Sequence, residues 1–265
     1  SDVCSSDLLI HQNSKIVDLQ LVTRDKTYLL NRIQFWKTFL KKKQLKNIML
    51  LQHTTIDSIA IVFACAEVGV TIYTSLIVPN EIQKKIPLVD FVFIGSTYVI
   101  WFDTNTQTSL FGKEILVLDE QVINQQFESQ EHKYVPVAID PDHILIIGDS
   151  SGSTGPARLI SHTNNTFVKA AQNSHHLFES GDVFASHNGI NHIGFLAVTM
   201  VAPLFKGVTI YTINYLHEMI IFTTRGFLTK VALYESHLML IKSIPGLGIQ
   251  NNCLRDCTEI GRAHV

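Results

Sequence analysis

The chain has 265 residues, with 21 basic against 23 acidic side chains and a formal net charge of −2. That balance excludes long-range electrostatic capture of nucleic acid or anionic lipid. Four cysteines in so long a chain exclude a dense secreted disulfide framework and suit a reducing, cytoplasmic setting.

Both ends read as scars. SDVCSSDL (Ser1–Leu8) and EIGRAHV (Glu259–Val265) look like translations of the two strands of a common sequencing-adapter oligonucleotide, and such segments stay out of fold reasoning. The expectation is therefore a partial domain over Leu9–Thr258, with the natural gene continuing past both ends. Setting aside Asp2, Asp7, Glu259 and Arg262 leaves 20 basic and 20 acidic residues. Cys65, Cys253 and Cys257 remain. The last two are four apart with no second pair to complete a zinc site, so they read as spare thiols. The remaining length suits one large α/β domain or two small ones. The most apolar run, Ile193–Phe205, is too short to cross a membrane, contains Pro203 and is closed by Lys206.

In chain order, Thr27–Lys43 places Leu29, Leu30, Ile33, Trp36 and Leu40 at helical spacing, with basic residues at its end where the helix dipole favours them. Asn47–Gln52 is a short apolar run that predicts a buried strand. Thr55–Val68 predicts a helix closed by Gly69, followed by a strand over Val70–Tyr73. Phe91–Ile94, Tyr98–Trp101 and Ile115–Leu118 continue as strands. Gln125–Pro141 is polar, carries two prolines and reads as a connector. Ile144–Ile147 is a further buried strand. Beyond it come helices over Asn164–Leu177 and Ile190–Phe205, a strand over Val208–Tyr211, and helices over His217–Thr224 and Glu235–Ile244. Strands alternating with helices predict an α/β fold with parallel, doubly wound sheet.

The stretch GDSSGSTGPAR after Ile147 admits two chemistries. Gly148-Asp149-Ser150-Ser151-Gly152 matches the G-x-S-x-G elbow that exposes a nucleophilic serine, here Ser150, with His187, His192 and His237 downstream as triad candidates. That elbow needs a helix directly behind the serine, whereas Gly155-Pro156 is turn punctuation and Leu159-Ile160 has the character of a short strand. The other chemistry is a phosphate loop. Gly152 and Gly155 let backbone N–H groups face oxyanions. Ser150, Ser151, Ser153 and Thr154 add hydroxyl donors, and Arg158 adds a forked, permanent charge. The P-loop signature G-x-x-x-x-G-K-[ST] is absent.

Ser150 to Arg158 resembles the T-S-G-S-T-G-x-P-K signature of the adenylate-forming, AMP-binding superfamily, which includes acyl-CoA synthetases, luciferases and aryl acid–AMP ligases. Leu159 to Asn164 is most similar to the aryl acid–AMP ligase type, where L-I-P-R-T-H follows the basic residue. A second stretch, Asn191-His192-Ile193-Gly194-Phe195 with Leu204 to Ile210, resembles that superfamily's F-H-x-x-G … L-x-x-G-x-x-V segment. The resemblance implies the large N-terminal domain of such an enzyme, cut before its C-terminal domain. It implies that Ser150, Ser151, Gly152, Ser153, Thr154, Gly155 and Arg158 wrap the β- and γ-phosphates of ATP. His192 would stand at the acyl-substrate entrance, and Gly207 would turn the chain into the next strand.

The implied reaction joins a carboxylic acid to the α-phosphorus of ATP, giving an acyl-adenylate and pyrophosphate. The acyl group then passes to a thiol on coenzyme A or a carrier protein. Mg2+ accompanies the ATP, with ligands expected outside this chain, and the chain alone is expected to be nearly inactive. Two departures stand out: Arg158 replaces lysine, and Asp149 replaces an aromatic residue, setting a negative charge beside the expected polyphosphate. Asp149 motivates one alternative, a non-catalytic nucleotide-binding remnant. The serine hydrolase with Ser150 as nucleophile is the other.

Overall fold

The structure, a computed structural model, describes residues 5–18, 22–52, 54–75, 79–99, 112–149, 158–186, 196–213, 216–225 and 227–232. Its strands in chain order are β1 (Lys15–Val17), β2 (Thr23–Arg24), β3 (Asn47–Leu51), β4 (Thr71–Tyr73), β5 (Phe91–Gly95), β6 (Glu114–Leu118), β7 (Ile144–Asp149), β8 (Leu159–Thr163), β9 (Val183–Ser186), β10 (Thr209–Tyr211) and β11 (Lys230–Ala232). They form two sheets, one of five strands ordered β11-β9-β10-β1-β2 and one of six ordered β6-β5-β3-β4-β7-β8. Every pairing is parallel except at one edge of each sheet, where β2 runs antiparallel to β1 and β8 antiparallel to β7.

Side chains alternate across a strand, so a strand with no polar face must be covered twice. Strands β3 and β5 are of that kind. Ile48, Leu50, Phe91 and Phe93 point into the larger core, while Met49, Leu51, Val92 and Ile94 join Ile82, Ile86, Val89 and Tyr98 on the other side. The larger core also takes Ile16, Phe184 and Ile210 from the five-stranded sheet, so both sheets share it. The far face of that second sheet is closed by Ala185 and Val231 packing with Ile213, Met219 and Leu228. The expectation of an α/β fold with sheet covered on both faces is met, with two sheets sharing the work.

Two helices anchor the shared core. Lys26–Lys42 starts at Asp25, whose carboxylate accepts the Tyr28 amide at 2.8 Å, and ends in Lys41 and Lys42. Its buried face carries Leu29, Ile33, Trp36 and Leu40 at the predicted spacing, and with them Arg32 and Lys37. Helix Ile56–Val68 is opened by a capping box between Thr55 and Ser58 and closed by Gly69 at φ 70°. It is buried along nearly its whole length because both of its flanks face packed elements.

Charges cross the contact between these helices in fully buried pairs. Arg32 Nε and Nη2 donate to Asp57 Oδ1 and Oδ2 at 2.7 and 2.9 Å, and Trp36 Nε1 donates to the same Oδ1 at 2.8 Å. Burial alone would lower the Arg32 pKa; the paired Asp57 charge and its hydrogen bond outweigh that and leave it raised. Lys37 Nζ lies 2.5 Å from Glu67 Oε2, and Tyr134 Oη donates to Glu67 Oε1 at 2.5 Å. Cys65 is wholly buried on the same helix, and burial pushes its thiol well above its ordinary value.

The structure departs from the sequence expectation in several places. Ser96–Val99 forms a helical turn where Tyr98–Trp101 reads as a strand, because Tyr98 serves the core better by packing beneath β5 than by extending the sheet. Residues 100–111 lie outside the described set. The polar connector Gln125–Pro141 begins inside a helix, Glu120–Glu128, which is capped by Asp119 and buries Ile123 and Phe127 four residues apart. No regular element follows from Glu131 to Asp140. The expected helix over Ile190–Phe205 is described from Leu196, first as a π-helical stretch, Leu196–Val201, then as Ala202–Phe205. The expected helix over Glu235–Ile244 lies outside the described residues.

Asp57→Ala strands the Arg32 charge and the Trp36 N–H in the core. It should lower the unfolding free energy by about 3–5 kcal/mol, measured by urea denaturation. Exchanging both partners for apolar residues (Asp57→Leu with Arg32→Met) should cost less than the single change. A pH effect follows from two histidines. His162 is held below the ordinary imidazole value by burial, and His132 by burial joined by the Arg32 charge. The unfolded chain binds these protons more readily than the folded one. Stability from this source is therefore level above about pH 6.5 and falls as the pH drops below it. Urea midpoints taken across that range, for the wild type and for His132→Gln/His162→Gln, check the sign: the double variant should show the shallower decline.

Candidate functional site

In a parallel sheet covered by helices on both faces, polar chemistry is left to the strand ends, and ligands bind outside the carboxyl ends. In the six-stranded sheet β5, β3, β4 and β7 are neighbours and all parallel, so their carboxyl ends lie on one side. The residues there are polar yet buried. Gln52 is 4% exposed, Thr54 2%, and Thr74 and Ser75 0%. Gly95 ends β5 beneath Gln52; a Cβ at that position would lie 1.7 Å from Gln52 Oε1, so any larger residue would have to displace the Gln52 amide.

Strand β7 carries the sequence motif out of this row of strand ends. Thr74 N donates to Ile147 O at 2.9 Å, extending the β4–β7 ladder by one bond. The chain leaves β7 at Asp149 and returns as β8, with Asp149 opposite Leu159 and Gly148 opposite Ile160. The segment from Ser150 to Arg158 thus joins two antiparallel strands. A nucleophile elbow needs a helix immediately after the serine; the described residues beyond this segment form β8 first, and a helix, Asn164–Ser174, only after it. Thr163 caps that helix by accepting the Thr166 amide, and Asn164 Nδ2 donates to Asp140 O at 2.8 Å, tying the hairpin to the chain that enters β7.

Of the sequence-predicted site residues, Arg158 is described. It is exposed and stands directly before β8, across from the end of β7. Ser150, Ser151, Gly152, Ser153, Thr154, Gly155 and His192 lie outside the described residues. Gly207, at φ 71°, makes the expected turn into β10.

Asp149 has a partner that the sequence reading missed. Lys85, the last residue of helix Pro79–Lys85, forms an ion pair with Asp149 Oδ2, and its Nζ also donates to Thr74 O at 2.9 Å. Both ends of the pair are largely buried: the side chains are 3% and 10% exposed. The available signal was spacing. Ile82, Lys85 and Ile86 fall on one helical face, and Ile82 and Ile86 are buried beneath the sheet, which carries Lys85 inward with them.

Among the described residues no group of three or more His, Cys, Asp or Glu side chains could hold a metal ion. Among them, too, no helix is long and apolar enough to cross a membrane.

No protein-family profile and no curated protein matches the sequence. Solved structures do. ATP-bound MatB from Rhodopseudomonas palustris superposes with a TM-score of 0.72 at 12% identity, over 91% of this chain and 52% of that one. The anthranilate CoA ligase AuaEII, in complex with anthranoyl-AMP, gives 0.75 at 11% identity, over 93% and 51%. The inhibitor-bound N-terminal domain of FACL13 from Mycobacterium tuberculosis gives 0.67 at 13% identity, over 88% and 61%. The chain spans about half the length of the first two. Over that half it has the α/β fold found in the N-terminal domain of adenylate-forming enzymes.

Proposed function

We propose that the chain is part of the N-terminal domain of an ATP-dependent acid ligase, with Leu9–Thr258 as its native portion, and that it binds the polyphosphate of ATP at the carboxyl ends of β4 and β7. One observation carries the reading. In a fold shared with ligases of this kind, the segment richest in small donors, Ser150 to Arg158, leaves the sheet from the end of β7, the last of its parallel strands, and returns antiparallel as the edge strand β8. The ATP in the MatB structure and the anthranoyl-AMP in the AuaEII structure are nucleotides of the class such a site would take.

In this reading Ser150, Ser151, Ser153 and Thr154 donate hydroxyls, Gly152 and Gly155 bring backbone N–H groups close to the phosphates, and Arg158 spreads the charge of departing pyrophosphate. A carboxylate substrate is already ionised at neutral pH, so its attack on the α-phosphorus needs no general base. His192 stands on the acyl side. The acyl group is then taken by a thiol, of coenzyme A or of a carrier protein. Mg2+ would travel with the ATP and help to spread its charge; among the described residues no group of three or more His, Cys, Asp or Glu side chains could hold it. The remnant reading loses its motive, since Lys85 already balances the charge of Asp149.

The test is ATP binding by this chain, measured by calorimetry with Mg2+ present. Arg158→Ala and Gly152→Val should each weaken ATP by about tenfold or more, the loss of one charge-assisted contact or of one backbone approach. ATP–pyrophosphate exchange by the chain alone should stay near background. Absence of ATP binding would overturn the reading, and so would covalent capture of Ser150 by a fluorophosphonate, which would restore the hydrolase.

A further inference from the structure

A carboxylate at the mouth of a polyphosphate site is a liability. Two negative groups a few ångströms apart, sheltered from water, repel strongly. Asp149 directly precedes Ser150, and its side chain is 10% exposed, so solvent screens it poorly. Its charge is met by a single described ammonium that has two other constraints. Lys85 is 2% exposed, sits on a helix whose Ile82 is fully buried, and donates to the carbonyl of Thr74. Nearby Glu81 is engaged first by Lys84, at 2.6 Å; that hydrogen bond, with weaker attraction to the Lys84 and Lys85 charges, lowers its pKa.

We propose that Lys85 is a positioning residue for polyphosphate. It cancels the charge of Asp149 and, through Thr74 O, ties the carboxyl end of β4 to that of β7. Thr74 closes the tie from the other side, since its own N–H donates to Ile147 O at 2.9 Å. Strand, lysine and carboxylate thus form one closed unit: β7 carries both Ile147 and Asp149, Asp149 binds Lys85, Lys85 binds Thr74, and Thr74 binds Ile147. The chain enters the segment at Ser150 from an electrically neutral and fixed platform. Lys85 need not touch the nucleotide to set its affinity. The inference rests on the nucleotide-binding reading above and gives Lys85 a role in the affinity of that site.

The experiment takes the whole chain as wild type, Lys85→Met, Asp149→Asn and the double variant. Each is titrated with ATP, inorganic tripolyphosphate and adenosine, with thermal melts alongside. Lys85→Met should weaken ATP and tripolyphosphate by about tenfold or more, the effect of one uncompensated charge in a poorly screened site, and leave adenosine unchanged. Adding Asp149→Asn should restore both anions to within about twofold of wild type, because the charge to be cancelled has gone. Equal ATP affinity in wild type and Lys85→Met overturns the proposal. So does a loss shared equally by adenosine and ATP with no rescue, which is the mark of structural damage alone. Should Lys85→Met fail to fold, Asp149→Asn carries the comparison: it leaves an unbalanced ammonium and should tighten tripolyphosphate, and unchanged affinity overturns the assignment. If tripolyphosphate shows the full pattern but ATP binds no tighter than tripolyphosphate, the role of Lys85 stands and the ligase reading falls. A wild type that binds neither anion overturns both.

Discussion

Strands β3 and β5 have no polar face, and most of the architecture answers to that. Ile48 and Leu50 need cover on one side of the sheet while Met49 and Leu51 need it on the other, and the same holds for Phe91 and Phe93 against Val92 and Ile94. Side chains of this size are each worth about 1.5–3 kcal/mol when fully buried, so the four on one uncovered face would cost about 6–12 kcal/mol, on the order of the whole net stability of an ordinary domain. Helices Lys26–Lys42 and Ile56–Val68 supply one layer, and Pro79–Lys85 with the turns around it supplies the other. Once both faces of β3 and β5 are closed, polar groups on these inner strands can meet solvent or a ligand at the strand ends, whereas the outer strands β6 and β8 are partly exposed along their length. The position of the candidate site follows from the apolar core.

The same enclosure explains how charges are handled. Arg32, Lys37 and Lys85 are each at most 2% exposed, and each has a carboxylate partner: Asp57, Glu67 and Asp149. A buried ion without a partner costs several kcal/mol, while a buried pair roughly breaks even against an apolar substitute. Such pairs therefore do more for register than for stability. Arg32–Asp57 and Lys37–Glu67 set how the two anchoring helices lie against each other, and Lys85–Asp149 sets how helix Pro79–Lys85 meets the end of β7. The first two pairs lie within the shared core, whereas the third stands where the sheet opens.

Local pattern made the core elements legible and left the long-range partners hidden. The helix over Thr27–Lys43, the strand at Asn47, the Thr55–Gly69 helix and the hairpin strand at Leu159 follow from periodicity, capping residues and punctuation, which act over a few positions. Tyr98 misled because an aromatic side chain packs equally well from a strand or a helical turn, and its packing with Val92 and Ile94 is made from the turn. Strands β1, β9 and β11 are only three or four residues long, a length over which alternation is weak evidence, and they go unread although β4 and β10, equally short, do not. The pairing of Lys85 with Asp149 spans 64 positions, and no local signal specifies a contact of that reach. What local sequence did supply was the tension itself: a carboxylate at the end of an apolar strand has to be answered somewhere.

The likeness to MatB and AuaEII, at 12% and 11% identity, is intelligible on the same grounds. A core position asks only for an apolar side chain of suitable volume, and many combinations fill the same space. Such positions can drift while the backbone path persists, so identity falls faster than the fold. Polar positions at the strand ends are bound by a different rule. There a change of charge cannot be absorbed by repacking; it has to be matched by a second change at whatever residue lies against it. An aspartate at the end of β7 and a lysine at the end of helix Pro79–Lys85 satisfy that rule as a pair, and either one alone would violate it. A departure from a motif that looks disabling in one dimension can thus be neutral in three. Whether a divergent site still works is then a question about pairs of residues, judged by the charge left over after each has found its partner.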